Sequence, residues 1–183
     1  IMDREGIGKA VLIGHSMGGN AAQAFVVQHP DRVEKLVLID CTCNSMPLSG
    51  LEKFLLAMAP PLVRACPWKR LVRSCAKASS LRPAVQHYLT RAFQQVGKQD
   101  FMAILLATVS CVHDKPHYRI DKPILLVCGE EDPIGRIQQS APVWSMNEPG
   151  CTFVKIPQAR HCPHLDQPAA FNRALIAFLN GLS

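Results

Sequence analysis

The sequence has no hydrophobic run long enough to cross a bilayer. Its longest apolar stretch, FMAILLATVSCV, is interrupted by polar residues, whereas a membrane-spanning helix needs about 20 predominantly apolar residues. A basic, apolar leader with a small-residue cleavage site is also absent from its first residues, which begin at Ile1 and not at Met. We therefore predict no stable membrane insertion and a cytoplasmic location.

The eight cysteines lack the spacing of a disulfide framework or of a CxxC metal site. Cys111 and Cys128 lie inside apolar runs, as is typical of free, buried thiols. Neither an internal repeat nor a low-complexity tract is present. With 183 residues, 48% of them hydrophobic and 19% charged, the chain is predicted to fold as a globular protein about one domain long.

Acidic residues are almost absent from the middle of the chain. Between Cys43 and Gln99, Glu52 is the only acid, and the basic residues are Lys53, Arg64, Lys69, Arg70, Arg73, Lys77, Arg82, Arg91 and Lys98. We interpret this basic block either as a solvated helical face or as a surface that attracts an anionic substrate, partner or lipid. No nucleic acid partner is predicted, because no recognition motif or stacking-aromatic pattern accompanies the charge.

The hydrophobic pattern divides the chain into three segments. Residues 1–42 and 116–183 contain the short apolar runs KAVLIG, KLVLID, PILLVCG and CTFVKIP, which alternate with helical patterns and are typical of buried parallel strands. In residues 43–115, apolar residues recur at intervals of three and four, with prolines between the helical stretches. We predict an α/β fold in which a parallel sheet is flanked by helices, with a helical cap inserted at 43–115.

A serine stands at a corner between the first apolar run and a helical pattern, in the stretch VLIGHSMGGN. A G-x-S-x-G turn of this kind holds the serine outward and aims free N–H groups of the next helix at a developing anion. Ser16 is therefore a candidate nucleophile, and the backbone N–H of Met17 a candidate oxyanion donor. Gly14 and Gly18 are predicted to be glycine because the turn brings neighbouring backbone within contact distance and leaves no space for a side chain; Gly19 provides further space. The stretch lacks the lysine of a P-loop and the third glycine of a dinucleotide fingerprint.

Four stretches resemble the α/β-hydrolase family from its nucleophile elbow onward. VLIGHSMGG resembles the elbow, residues 43–115 the cap, PILLVCGEEDPI the strand and turn that carry the acid, and ARHCPHLDQP the histidine loop. The resemblance covers the whole chain, and its order of Ser, Asp and His is the order in the family. It implies a partial α/β-hydrolase fold with a catalytic triad and no metal or other cofactor.

A serine hydroxyl is too weakly acidic to attack at neutral pH, so a histidine must take its proton. The resemblance puts this base at His161, because the family places it first in the loop, before an acidic residue and a proline; His164 is the runner-up. His15 is interpreted as a packing residue. The sequence departs from the family at Arg160, where relatives commonly have glycine, and a cation there is expected to crowd the base or lower its pKa.

The base needs a carboxylate that fixes its tautomer and stabilises its charged form. The resemblance puts this acid at Asp132, and a short side chain before a proline suits the turn better than Glu130 or Glu131. Asp40, which ends the preceding strand and faces the same edge of the sheet, is the alternative. A zinc site on the two loop histidines is not predicted, because Pro163 lies between them and prevents a regular helix.

The resemblance also implies parts that this sequence does not contain. The second oxyanion donor of the family usually comes from an HG-containing loop, and no such motif precedes Ser16; the first four strands of the family are missing too. We therefore expect an exposed apolar edge on the first strand, where pairing with another chain is possible. We also expect these 183 residues to be poorly active by themselves.

The sequence predicts a serine hydrolase that acts on a small carboxylic ester, thioester or lactone through an acyl-enzyme. Acyl transfer or a lyase reaction on the same scaffold is an alternative, and so is a non-catalytic binding module that lacks the N-terminal strands. Aromatic residues of the cap, such as Trp68 and Phe93, would either roof the substrate pocket or pack within the cap.

Overall fold

The computed structural model describes residues 1–46, 64–110 and 118–181, together with four single positions at Gly50, Phe54, Met58 and Pro61. Its elements are, in chain order, β1 (Ala10–His15), α1 (Met17–Gln28), a 3₁₀ turn (Pro30–Arg32), β2 (Val33–Ile39), α2 (Trp68–Ser79), α3 (Pro83–Val96), α4 (Lys98–Ser110), β3 (Ile124–Gly129), α5 (Ile137–Asn147), β4 (Cys151–Ile156), α6 (Pro163–Asp166) and α7 (Pro168–Leu179). A further helical pattern at 51–63 lies outside the described residues, apart from three of the single positions.

The four strands form one parallel sheet in the order β1-β2-β3-β4. Successive residues of the two central strands point to opposite faces, as the period of two requires. Leu36, Leu38 and Leu126 pack on the face that α1 and α5 cover, while Val37 and Leu125 pack on the face that α7 covers. Because both faces are buried, the strands have no polar alternation, and the predicted α/β class with a parallel, helix-flanked sheet is confirmed.

Helices α2, α3 and α4 lie between β2 and β3 in the chain, and we call residues 68–110 the helical insertion. Its aromatic rings contact one another: Trp68 and Phe93 each lie with their ring centroid 5.5 Å from that of Phe101. These half-buried rings therefore pack against one another within the insertion. The wider limits of the predicted cap, 43–115, stay a prediction.

Strand β1 is the edge of the described sheet, since among the described residues it pairs only with β2. Ile13 on this strand is 53% exposed, which agrees with the exposed apolar edge expected on the first strand. Pairing of this edge with another chain stays a prediction. Among the residues that the structure describes, no helix is both long and apolar enough to cross a membrane.

The cysteines in the described part of the chain are free thiols. Burial raises the pKa of Cys151 and of Cys162 to about 12 and that of Cys41 still higher. At neutral pH these thiols are protonated and therefore poor nucleophiles. They act as small packing residues.

Candidate active site

Ser16 occupies the sharp turn between β1 and α1. Its φ of 52° lies in the left-handed region, which costs energy for any residue with a side chain. Its backbone N–H donates to the carbonyl oxygen of Ile39 over 2.8 Å, which fixes the turn to the end of β2. Met17 begins α1, so no carbonyl within the helix can accept its N–H. The strain is thus held in place by the sheet, and a free donor lies beside the serine.

The glycines of this turn differ in what they allow. A Cβ on Gly14 would lie 2.3 Å from the carbonyl oxygen of Gly18, and a Cβ on Gly19 would lie 2.5 Å from the sulfur of Cys41. A Cβ on Gly18 would meet nothing within 4 Å. The prediction that close backbone contact requires glycine was therefore right for Gly14. It was wrong for Gly18, because a Cβ on Gly18 would have space even though the Gly18 carbonyl lies close to Gly14. Gly19 is the second position of this turn that has no space for a Cβ.

His161 forms hydrogen bonds with both of the residues that sequence reasoning assigned to it. The hydroxyl of Ser16 lies 2.8 Å from Nε2 of the imidazole, and Oδ2 of Asp132 lies 2.9 Å from Nδ1. A carboxylate only accepts, so Nδ1–H donates to Asp132 and Nε2 is left to accept from the serine. His161 and Asp132 are 6% and 4% exposed. The three side chains thus form one continuous, nearly buried chain.

The carboxylate of Asp132 is held by its own turn. Its Oδ1 accepts from the N–H of Ile134 over 2.9 Å, and the amide of Gln138 donates to its backbone carbonyl over 2.7 Å. These contacts leave Oδ2 directed at the imidazole, because both ends of the turn are anchored. The ends of β1, β3 and β4 deliver the three residues to the same edge of the parallel sheet, where ligands of such sheets bind.

Asp40, the alternative acid, lies beside the pair and not on the histidine. It follows β2 with a φ of 41° and is fully buried, and the N–H of Gly129 donates to both of its oxygens, over 3.0 and 3.3 Å. Burial and the charge of Asp132 raise the pKa of Asp40 to about 8. The neutral form of Asp40 is therefore favoured at pH 7.

The same residues are near enough to be considered as metal ligands. One ligand atom each of Asp40, Asp132 and His161 lies within 4.8 Å of the other two. The Nδ1 atom of His161 already donates to Asp132, and the raised pKa of Asp40 favours its neutral form, which is a poor ligand for a cation. The donor set fits a hydrogen-bonded pair of carboxyl groups better than a divalent cation site.

The other two histidines near the site, His15 and His164, form different contacts from those of His161. Nε2–H of His15 donates to the backbone carbonyl of His161 over 2.6 Å, so His15 supports the loop as well as packing in it. Burial and the nearby His161 lower the pKa of His15 to about 4, which keeps it neutral. The ring of His164 packs edge-on against those of His15 and Phe171. Among the described residues, His164 forms no hydrogen bond with Ser16.

Arg160 does not face the imidazole, contrary to our expectation that it crowds the base. Its guanidinium donates to the backbone carbonyl of Lys77 in α2 over 2.5 Å. The expectation was wrong because the side chain turns toward the helical insertion, where a carbonyl is free to accept. Pro163 begins the short helix α6, a position to which proline is well suited. His161 lies before this helix, so no regular helix spans His161 and His164, as expected.

Asp166 joins the histidine loop to the helical insertion, a role that sequence reasoning missed. One oxygen accepts from the hydroxyl of Ser80, and the other accepts from the N–H groups of Leu81 and Arg160 over 3.1 and 3.0 Å. The carboxylate is 3% exposed. It therefore fixes the corner between α2 and α3 against the residue that precedes His161.

Replacing Asp166 with asparagine is expected to lower both stability and the reactivity of Ser16. The amide keeps the volume but replaces one acceptor oxygen by a donor, so at least one buried donor loses its partner, at a cost of about 1–3 kcal/mol. We also expect slower labelling of Ser16 by a fluorophosphonate at a temperature where both proteins are folded. Urea unfolding and labelling rates measure the two effects. Asp31→Asn is the same change at an exposed carboxylate, and stability loss without slower labelling would refute the positioning role.

A buried polar network on α1 was also missed. The amide of Asn20 donates to Oδ1 of Asn44 over 2.7 Å, and Oε1 of Gln23 accepts from the N–H of Asn44 over 2.8 Å. The network ties the helix behind Ser16 to the loop after β2. A signal was present in the sequence, because two polar residues stand three apart on the helix face that the apolar pattern predicts to be buried.

The comparison with known families agrees with this geometry. A family model described as "Alpha/beta hydrolase family" matches residues 1–174. The chain belongs to this family.

Curated relatives of this family member extend over nearly all of its residues. A 2-hydroxy-6-oxononadienedioate/2-hydroxy-6-oxononatrienedioate hydrolase of Burkholderia vietnamiensis is 28% identical, over 98% of this chain and 65% of its own length. The sn-1-specific diacylglycerol lipase ABHD11 of Mus musculus is 26% identical, over 98% of this chain and 62% of its own length. The chain thus spans less than two thirds of the length of these two relatives.

A solved structure with the same fold is that of a thermophilic esterase from Thermogutta terrifontis. It superposes with a TM-score of 0.79 at 23% identity, over 99% of this chain and 68% of that one. At this level of identity the likeness concerns the fold.

Proposed function

We propose that this protein is a serine hydrolase that cleaves a small carboxylic ester, thioester or lactone through an acyl-enzyme. Ser16 is the nucleophile, His161 the general base and Asp132 the carboxylate that orients it. The proposal rests on the continuous hydrogen bonds from the serine through both ring nitrogens to the carboxylate, at 2.8 and 2.9 Å. Membership in a family whose relatives are named as a hydrolase and a lipase supports it.

In the first half-reaction the oxygen of Ser16 attacks the carbonyl carbon of the substrate, and its proton passes to Nε2 of His161. Asp132 stabilises the imidazolium that forms. The carbonyl oxygen becomes an oxyanion and accepts a hydrogen bond from the N–H of Met17. A single donor of this kind lowers the activation barrier by about 3–4 kcal/mol. When the tetrahedral intermediate collapses, the bond to the leaving group breaks and His161 protonates that group.

In the second half-reaction a water molecule replaces the leaving group. His161 takes one proton from this water as it attacks the acyl carbon, and the collapse of the second intermediate returns that proton to the oxygen of Ser16. The acid product leaves, and the site is restored without a cofactor. Because the low pKa of His15 keeps that ring neutral, it adds no positive charge beside the imidazolium.

A fluorophosphonate probe tests the proposal directly, since it reacts with an activated serine and needs no knowledge of the substrate. We expect the protein to be labelled at Ser16, and the label to be lost in Ser16→Ala and in His161→Gln. Intact mass and peptide mapping identify the labelled residue. Removing a triad member costs on the order of 10⁴-fold or more in reactivity.

His164→Gln is the matched control, because it makes the same change to a histidine of the same loop. It should keep the rate of labelling within a few-fold of the original protein. Labelling that survives in Ser16→Ala, or that depends on His164 and not on His161, would overturn the assignment of the site.

A further inference from the structure

A basic groove lies on the helical insertion, and its described lining residues include none of the proposed triad. It has a volume of about 570 Å³ and runs between α2 and α3, and its lining residues are Pro67, Lys69, Arg70, Arg73, Ser74, Lys77, Pro83, Gln86, His87 and Thr90. None of the described lining side chains is acidic. We call this feature the basic groove.

The four cations of the groove come from one helix and are close to one another. Lys69, Arg73 and Lys77 follow at intervals of four along α2, and Arg70 precedes Arg73 by three. Side chains at these intervals are neighbours, and like charges there destabilise a helix. Their side chains are exposed and have no ion pair within the described part of the chain. The helix thus carries a repulsion that no described acid relieves.

The position of two of these cations adds to the repulsion. Lys69 and Arg70 stand in the first turn of α2, which contains no acidic residue. The first turn is the positive end of the helix dipole, where negative charge is favoured and positive charge is not. An anion bound in the groove would reduce both the repulsion among the four cations and their unfavourable interaction with the helix dipole.

We propose that the basic groove binds a ligand that carries a phosphoryl group. Arg70 and Arg73 would bind the phosphoryl oxygens, since a guanidinium presents parallel N–H donors that match them. Lys69 and Lys77 supply the flanking charge, and the hydroxyl group of Ser74 is a further donor along the wall. The site is separate from the proposed hydrolase chemistry, and its occupancy is measured without any turnover.

Calorimetric titration with pyrophosphate at constant ionic strength tests this proposal. We expect saturable binding to the protein and at least a tenfold weaker affinity in Arg70→Gln/Arg73→Gln, because the variant loses both guanidinium groups that would donate charged hydrogen bonds to the phosphoryl oxygens. Circular dichroism establishes that the variant is folded. Both replaced side chains are exposed, so the substitution removes no buried contact.

The matched control is Arg64→Gln/Arg91→Gln, which removes the same charge from two exposed arginines outside the groove. It should bind pyrophosphate within about twofold of the original protein if the groove is the site, because screened long-range charge has little effect at physiological salt. Equal weakening by both double variants, or no saturable binding to the original protein, would overturn the proposal.

Sedimentation with phosphatidylcholine vesicles that contain phosphatidic acid distinguishes two sources of the phosphoryl group. Vesicle binding that pyrophosphate displaces and that the Arg70→Gln/Arg73→Gln variant loses assigns the groove to a lipid headgroup. Pyrophosphate binding without vesicle binding assigns it to a soluble phosphate ester. Vesicle binding that both double variants retain, together with no binding of pyrophosphate, would refute the site.

Discussion

Replacing Asp132 with asparagine is expected to lower the rate of fluorophosphonate labelling by on the order of 10³ to 10⁴-fold. The amide would donate to Nδ1 of His161, which forces the ring proton onto Nε2. In that tautomer Nε2 can no longer accept the proton of Ser16, so the nucleophile is not activated although the geometry is kept. Labelling kinetics measure the loss, and an unchanged rate would contradict the role of the carboxylate.

Asp40 makes the size of this loss depend on pH. The charge of Asp132 is one cause of the raised pKa of Asp40, so the pKa of Asp40 falls in the Asp132→Asn variant. Once ionised, Asp40 is a carboxylate with an oxygen within 4.8 Å of a ring nitrogen of His161. The residual rate of the variant should therefore increase as the pH rises and Asp40 loses its proton.

The Asp40→Asn/Asp132→Asn variant isolates this contribution. It should be slower than Asp132→Asn and should lack the increase with pH that depends on Asp40. Asp40→Asn alone should change the rate at neutral pH by only a few-fold, because Asp40 is already uncharged there and an amide also donates to the neighbouring carboxylate. If the two variants that contain Asp132→Asn have equal rates at every pH, Asp40 is not a reserve acid.

The residues that sequence reasoning brought together share one property, which is their place at the end of a strand. Ser16, Asp132 and His161 come after β1, β3 and β4 at short intervals. Parallel strands carry the residues at their carboxyl ends to one edge of the sheet, so a correct strand pattern was enough to predict that these side chains lie near one another. The apolar runs gave that pattern because strands buried on both faces have no polar alternation.

The features that were missed or misjudged depend on which partner a side chain finds across the chain. Asp166 lies 86 positions from Ser80, and Arg160 binds a carbonyl of α2. No local pattern encodes either contact, because both arise from the way the helical insertion packs on the histidine loop. The same limit applies to Gly18, because a G-x-S-x-G pattern does not show which of its two glycines lacks space for a Cβ.

Replacing Gly14 with alanine is expected to destabilise the protein by about 3 kcal/mol or more. The new Cβ would lie 2.3 Å from the carbonyl oxygen of Gly18 and 2.6 Å from the backbone nitrogen of Gly19. Both contacts are with backbone, and the turn is anchored to β2 by the N–H of Ser16. Relief of the overlap therefore requires the turn to open, which would also carry the hydroxyl of Ser16 away from His161.

Gly18→Ala is the matched control, because it adds the same methyl group four residues away in a place with no atom within 4 Å. Gly18 lies in the first turn of α1, where alanine restricts the unfolded chain more than glycine does, so stability should be unchanged or higher by up to about 1 kcal/mol. Urea unfolding measures both variants, and a Gly14→Ala protein too unstable to purify beside a folded Gly18→Ala protein is the same result in a stronger form. Equal stability of the two variants would mean that the turn yields easily, and strain could then not be what holds Ser16 outward.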